Sequence, residues 1–163
     1  MKKLYMLLPL VLLLFGCAPE EETFETVADE ILQPVMAAPR QIALQLPDDT
    51  VAPVLDSDQE QVYLCTDYEI VVETLPAGDV SATIRHLSGY DPEKLTVMQT
   101  RQGEVARYEF VWVSAGEEGD RLGRAVILDD GAYHYCLSAL RDAGSEANSQ
   151  IVWSQVFDSF QLI

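Results

Sequence analysis

Basic residues are scarce in this chain: ten lysines and arginines stand against 27 aspartates and glutamates, for a net charge of −17. Nucleic acid and anionic lipid headgroups repel such a surface, so nucleic-acid binding is excluded. What remains for that charge is solubility, or attraction of a cationic partner or divalent ions. Histidine is scarcer still. His86 and His134 are the two, neither with a second histidine at ligand spacing, and both read as core or surface side chains rather than metal ligands or general bases. No GxSxG elbow, HExxH pair, P-loop or GxGxxG fingerprint occurs, so neither a motif-borne catalytic residue nor a cofactor is expected. The three cysteines include no CxxC pair, which leaves a redox or zinc role little support. No apolar run reaches the roughly 20 residues that a membrane-crossing helix needs. No internal repeat is visible.

What is present begins at the N-terminus. Lys2 and Lys3 precede an apolar run from Leu4 to Phe15, the charged and apolar regions of a secretion leader. The run closes on Leu14-Phe15-Gly16-Cys17. This stretch resembles the lipobox of bacterial lipoproteins, although Phe15 is bulkier than the usual occupant of its position. Gly16 leaves room for a peptidase, the Cys17 thiol can take diacylglycerol, and cleavage then frees its amine. Two acyl chains meet the requirement for stable anchoring, which one chain does not. The resemblance implies that residues 1–16 are a leader, that Cys17 is the lipid attachment site, and that the mature chain sits on the extracytoplasmic face of a cell membrane. Ala18 stands where some lipoproteins carry an inner-membrane retention aspartate. Losing Lys2 and Lys3 with the leader leaves 8 of the ten basic residues against 27 acidic ones, a net charge of −19.

Residues 17–39 read as an acidic tether, its start solvated by Glu20, Glu21, Glu22 and Glu25. Phe24, Val27, Ala28 and Ile31 fall at helical spacing and predict a short helix that Pro34 stops. Residues 40–163 suit one domain with its own core. Within it, Gln41–Leu46 alternates polar and apolar and predicts a strand. Val51–Glu60 reads as loop, and Gln61–Cys65 and Tyr68–Leu75 as strands joined by a turn at Thr66-Asp67. Asp79 can cap a helix carrying Val80, Ile84 and Leu87 on one face, with Gly89 ending it. Tyr90-Asp91-Pro92 is a turn, Leu95–Thr100 a strand, and Val105–Ser114 its hairpin partner across Gln102-Gly103. Ala115–Arg121 reads as a charged loop, with Gly116, Gly119 and Gly123 at loop spacing rather than forming a phosphate cradle. Leu122–Leu128 and Ala132–Leu140 flank an Asp129-Asp130-Gly131 turn. Ser145 can open a final helix with Ile151, Val152, Val156 and Phe157 on its apolar stripe, before a terminal strand Phe160–Ile163. The fold class is α+β: a mostly antiparallel sheet against which two amphipathic helices pack.

This order resembles the PsbP-like fold of PsbP proteins, the Ran-binding Mog family and small bacterial lipoproteins. Two stretches carry the likeness as motif: Asp130-Gly131-Ala132-Tyr133-His134-Tyr135, similar to a penultimate hairpin, and Trp153-Ser154-Gln155-Val156-Phe157-Asp158-Ser159-Phe160, similar to a closing helix and strand. Both are packing motifs. The resemblance implies a non-enzymatic role in docking onto a larger protein partner, and no contact residue carries over to this chain.

Several residues carry two readings each. Cys65 and Cys136 could bridge, closing a loop of roughly 70 residues worth about 4 kcal/mol in the chain-entropy picture, or pack as two separate thiols. Ala106, Tyr108, Phe110 and Trp112 share one strand face, opposite Arg107 and Glu109. Tyr108, Phe110 and Trp112 are then either the core side of a central strand or an exposed aromatic contact face. Asp56-Ser57-Asp58-Gln59-Glu60 resembles the start of a calcium loop but lacks the glycine and the closing glutamate, so it reads as a solvated loop, as does Glu117-Glu118-Gly119-Asp120. The expected function is an envelope-anchored, non-catalytic binding or accessory module. The alternatives are a hydrolase-like extracellular enzyme with a dispersed carboxylate site, and a purely structural envelope protein.

Overall fold

Runs of Val, Ile, Tyr and Phe with period-two burial make strands here, and the two segments with helical spacing lie on opposite faces of the sheet they form. The computed structural model describes residues 37–163 apart from 49, 51, 66, 67, 117, 118 and 145–148, all within one compact unit, Met36–Ile163. The expected leader, Cys17, the tether helix, the Thr66-Asp67 turn and the Ser145 helix start lie outside the described residues.

The order is β1 (Ile42–Ala43), β2 (Leu55–Asp56), β3 (Glu60–Leu64), β4 (Tyr68–Pro76), α1 (Val80–Ser88), a 3-10 turn at Pro92–Lys94, β5 (Met98–Gln102), β6 (Val105–Gly116), β7 (Gly119–Asp129), β8 (Tyr133–Asp142), α2 (Ser149–Ser159) and β9 (Gln161–Leu162). Seven strands form one sheet in the order β2-β3-β4-β8-β7-β6-β5, and β1 pairs with β9 in a second, two-stranded sheet. Every pairing is antiparallel. The α+β class and the hairpin-rich order therefore hold.

The large sheet is covered on both faces, so it carries two cores. Ile70, Val72, Val126, Leu128, Tyr135 and Leu137 face α2, which contributes Val156 and Phe157, with Phe160 following. The intervening residues Ala125, Ile127 and Cys136 face α1 with Phe110 and Trp112, beneath Ile84. This double coverage explains why β7 and β8 read as near-continuous apolar runs rather than alternating ones.

Local chemistry fixes α1 at both ends. The Asp79 carboxylate accepts from the Ser81 amide at 2.9 Å, and Gly89 closes the helix at φ 76° with its N–H donated to the Arg85 carbonyl. The end of α2 is held from the sheet instead. Arg107 donates to the carbonyls of Phe157 (3.0 Å) and Phe160 (3.2 Å), two of the acceptors that a helix C-terminus leaves unpaired.

Four expectations need correction. Val51–Glu60 is not all loop: β2 lies within it and pairs with β3, around a turn in which the Glu60 amide donates to the Ser57 hydroxyl at 3.0 Å. The Gln41–Leu46 strand shrinks to β1, because β9 offers only two residues to pair with. Leu44 and Leu46 pack onto the α2-side core instead. The strand expected at Leu95–Thr100 is displaced to Met98–Gln102, because Leu95 and Val97 turn inward to the α1-side core after the 3-10 turn. The loop expected at Ala115–Arg121 is mostly strand: β6 and β7 pair out to Gly116 and Gly119.

Candidate functional site

The register of β5 on β6 builds the most distinctive surface. β5 pairs with β6 only from Met98 opposite Glu109 to Gln102 opposite Val105, while β6 continues to Gly116. Gly103 and Glu104 form a two-residue turn, so Gln102 and Val105 are a mutually hydrogen-bonded pair. Alternation then points the main-chain groups of Arg107, Glu109, Val111 and Val113 to the same side. The Tyr90 hydroxyl confirms the phase by donating to the Val113 carbonyl at 2.7 Å. Past the end of β5, no strand among the described residues pairs with this stretch of β6, which leaves an open edge.

Val111 and Val113 are 62% and 48% exposed on that edge. They break the pattern of their own face, where Arg107 and Glu109 are the preceding members. A groove of about 760 Å³ runs along the edge. On the α2 side its wall includes Leu122, Arg124, Arg141 and Trp153, and on the α1 side Tyr90, Lys94, Leu95 and Trp112. Three cationic residues and no carboxylate line it among the described residues, in a chain where acids far outnumber bases. The Arg141 guanidinium lies 5.5 Å from the centre of the Trp153 ring, a cation–π distance. The Trp153 indole nitrogen is buried with no hydrogen-bond acceptor among the described residues.

Next to the groove, a charged row ties sheet to helix. Glu109 accepts from Arg107 at 2.6 Å and from Arg124 at 3.3 Å. Arg124 in turn stacks 4.4 Å from the centre of the Phe157 ring. Burial raises the Glu109 pKa, but the hydrogen bonds and charges of the two arginines outweigh it and hold the carboxyl below its ordinary range. Asp130 behaves alike: burial works upward, and the amides of Tyr133 and Ala132, the Tyr135 hydroxyl and the Arg40 charge prevail in the other direction. Both are carboxylates kept ionised by structural partners.

One arrangement has the outline of a nucleophile, base and orienting acid. Thr83 Oγ1 lies 2.8 Å from His134 Nδ1, and His134 Nε2 is 3.9 Å from Asp129 Oδ1. His134 is 1% exposed and Thr83 is buried against the sheet, so no substrate reaches them, and the contact pins α1 onto β8. His86, the other histidine, is exposed and pairs with Glu73 at 3.0 Å.

The sequence candidates fare unevenly. Cys65 and Cys136 are free thiols, not a bridge. Cys136 lies in the α1-side core and Cys65 packs against the α2-side core, so the sheet stands between them. Burial, helped by the Glu73 charge, pushes the Cys136 thiol far up. Phe110 and Trp112, at 3% and 6% exposure, belong to the core, and Tyr108 packs against it. The exposed aromatic contact face is thus corrected to its core alternative. The groove's valines and Trp153 lie outside the contact face expected from sequence, although the broken alternation at Val111 and Val113 is a readable signal. Gly123 lies within β7, in the strand expected at Leu122–Leu128, and a Cβ there would collide with the Trp112 ring. The glycine makes the tryptophan's place.

No family model matches the chain, and no curated protein matches it. Solved structures do. A crystal structure from Bacteroides thetaiotaomicron VPI-5482 matches over 75% of this chain with a TM-score of 0.50 and 9% identity. The match takes in 45% of that protein, so this chain spans less than half its length. At this identity the likeness concerns the fold alone. A point mutant of the protein Mog1 matches over 75% of this chain and 90% of its own, at 12% identity and a TM-score of 0.46, too low to argue from.

Proposed function

We propose that this chain is an envelope-anchored lipoprotein whose domain is a non-catalytic binding or accessory module for a protein partner. The groove along the open half of β6 carries the binding half of that reading. Its lining is apolar, aromatic and cationic, the composition of a contact surface. Among the described residues, the carboxylates with displaced titration, Glu109 and Asp130, are both lowered, whereas a general acid at neutral pH needs a raised one. The anchoring half rests on Lys2, Lys3, the apolar run and Leu14-Phe15-Gly16-Cys17, and the PsbP-like motif stretches support docking over chemistry. Among the described residues no helix is long and apolar enough to cross a membrane.

Two measurements test the two halves. Labelled palmitate should enter the wild-type chain in bacterial cells, and Cys17→Ser should abolish both labelling and membrane fractionation. A photo-crosslinking residue at Thr96, on the groove wall, should capture a discrete protein in intact cells, where the same probe at exposed Asp58 captures none. Turnover of a defined substrate without any crosslinked partner would favour the hydrolase-like alternative. Envelope leakage in a deletion strain, again without a captured partner, would favour the purely structural one.

A further inference from the structure

We propose that the open edge of β6 takes up an extended acidic segment of the partner protein as an added strand, in line with β5. The inference rests on the binding reading above and names the chemistry of what the groove holds. Three independent features select this occupant. The first is the unfinished ladder: the Val111 N–H and C=O and the Val113 N–H point past the end of β5, in the phase fixed by the Tyr90–Val113 hydrogen bond. An extended chain satisfies such a row, as sheet edges commonly do with peptides. The second is alternation. A strand laid there sends successive side chains to opposite faces, towards Val111, Val113 and Trp153 on one side and Trp112 and Leu95 on the other. The third is charge. Lys94 is exposed on the edge and Arg124 lines it, and the single carboxylate beside them, Glu109, is shared between Arg124 and Arg107, which leaves a local excess of positive charge although the chain as a whole is strongly acidic. A second copy of this chain would bring the same cations against their own kind. An acidic segment is attracted to the edge locally, and the rest of the molecule repels its misplacement elsewhere.

The test uses the leaderless full chain and a fluorescein-labelled peptide of four Glu-Val repeats, read by fluorescence anisotropy. It should bind, more weakly as salt rises, and a Lys-Val peptide of the same length should bind at least about tenfold less tightly. Val111→Pro removes one outward N–H at an edge where proline is tolerated and should weaken binding roughly tenfold, the equivalent of one main-chain hydrogen bond. Lys94→Glu, at an exposed position that cannot threaten folding, should weaken it as well. Thermal melting of both variants shows whether they remain folded. Equal binding of the two peptides, or undiminished binding by Lys94→Glu and folded Val111→Pro, overturns the proposal. So does slow amide exchange at Val111 and Val113 in the chain alone: concentration-dependent protection would place a second copy on the edge, and concentration-independent protection a segment of the same chain. None of these readings depends on lipid attachment, so failure here is distinguishable from failure of the palmitate test.

Discussion

Gly123 and Trp112 are opposite one another across β6 and β7, and the glycine is needed because the indole occupies the space where its side chain would be. Gly123→Ala is expected to lower stability by about 1–3 kcal/mol in urea unfolding, the usual cost of overpacking a core. Trp112→Leu should recover part of that loss when combined with it, which a merely conformational effect of the glycine would not allow. Glu109 gives the pH dependence. Its pKa is lower in the folded chain than the ordinary value of 4.5. Its contribution to stability is therefore complete above that ordinary value and disappears as pH falls through the lower folded-state value. Glu109→Gln should reduce stability near neutrality and flatten the loss between about pH 5 and pH 2, where wild type declines. Parallel urea midpoints across that range check it. A variant whose acid profile superimposes on wild type would show that the Arg107 and Arg124 contacts contribute nothing measurable.

At the scale of elements, α1 was legible because everything that defines it is local: Asp79 before it, Gly89 after it, and Ile84 and Leu87 between. Asp79→Ala should cost about 1 kcal/mol, since it removes the acceptor for the Ser81 amide. Thermal unfolding of the single variant measures this, and an unchanged midpoint would mean that core packing of Ile84 and the Thr83–His134 contact hold the helix without the cap. β5 and β1 were placed imperfectly for the opposite reason. Leu95 and Val97 have strand-like spacing, yet a core beneath α1 claims them, and no sequence window contains that competition. The extent of β6 beyond Ser114 is hidden by glycines that look like a loop, although Gly116 and Gly119 pair as the last rung between β6 and β7. The groove was less legible still, because it exists only as the difference in length between β6 and β5. Its one sequence trace is Val111 and Val113 standing where Arg107 and Glu109 set a polar rhythm.

At the scale of the whole domain, the seven-stranded sheet separates two cores, and it divides Cys65 from Cys136. Cys65 is half-buried near the Thr50 hydroxyl, 3.6 Å away, and Cys136 has no exposed surface in a central strand. In a leaderless Cys17→Ser chain, iodoacetamide should therefore mark Cys65 and leave Cys136 untouched, as a single adduct in the intact mass after brief treatment would show. Mass pointing to an intact bridge in the oxidised protein would contradict the arrangement. The sulfur inside the sheet becomes an internal clock. Its alkylation must wait for β7 and β8 to part, so the rate at which the second adduct appears reads the lifetime of the native state directly. No dye or added label is needed, because the reporter is a side chain the fold already contains.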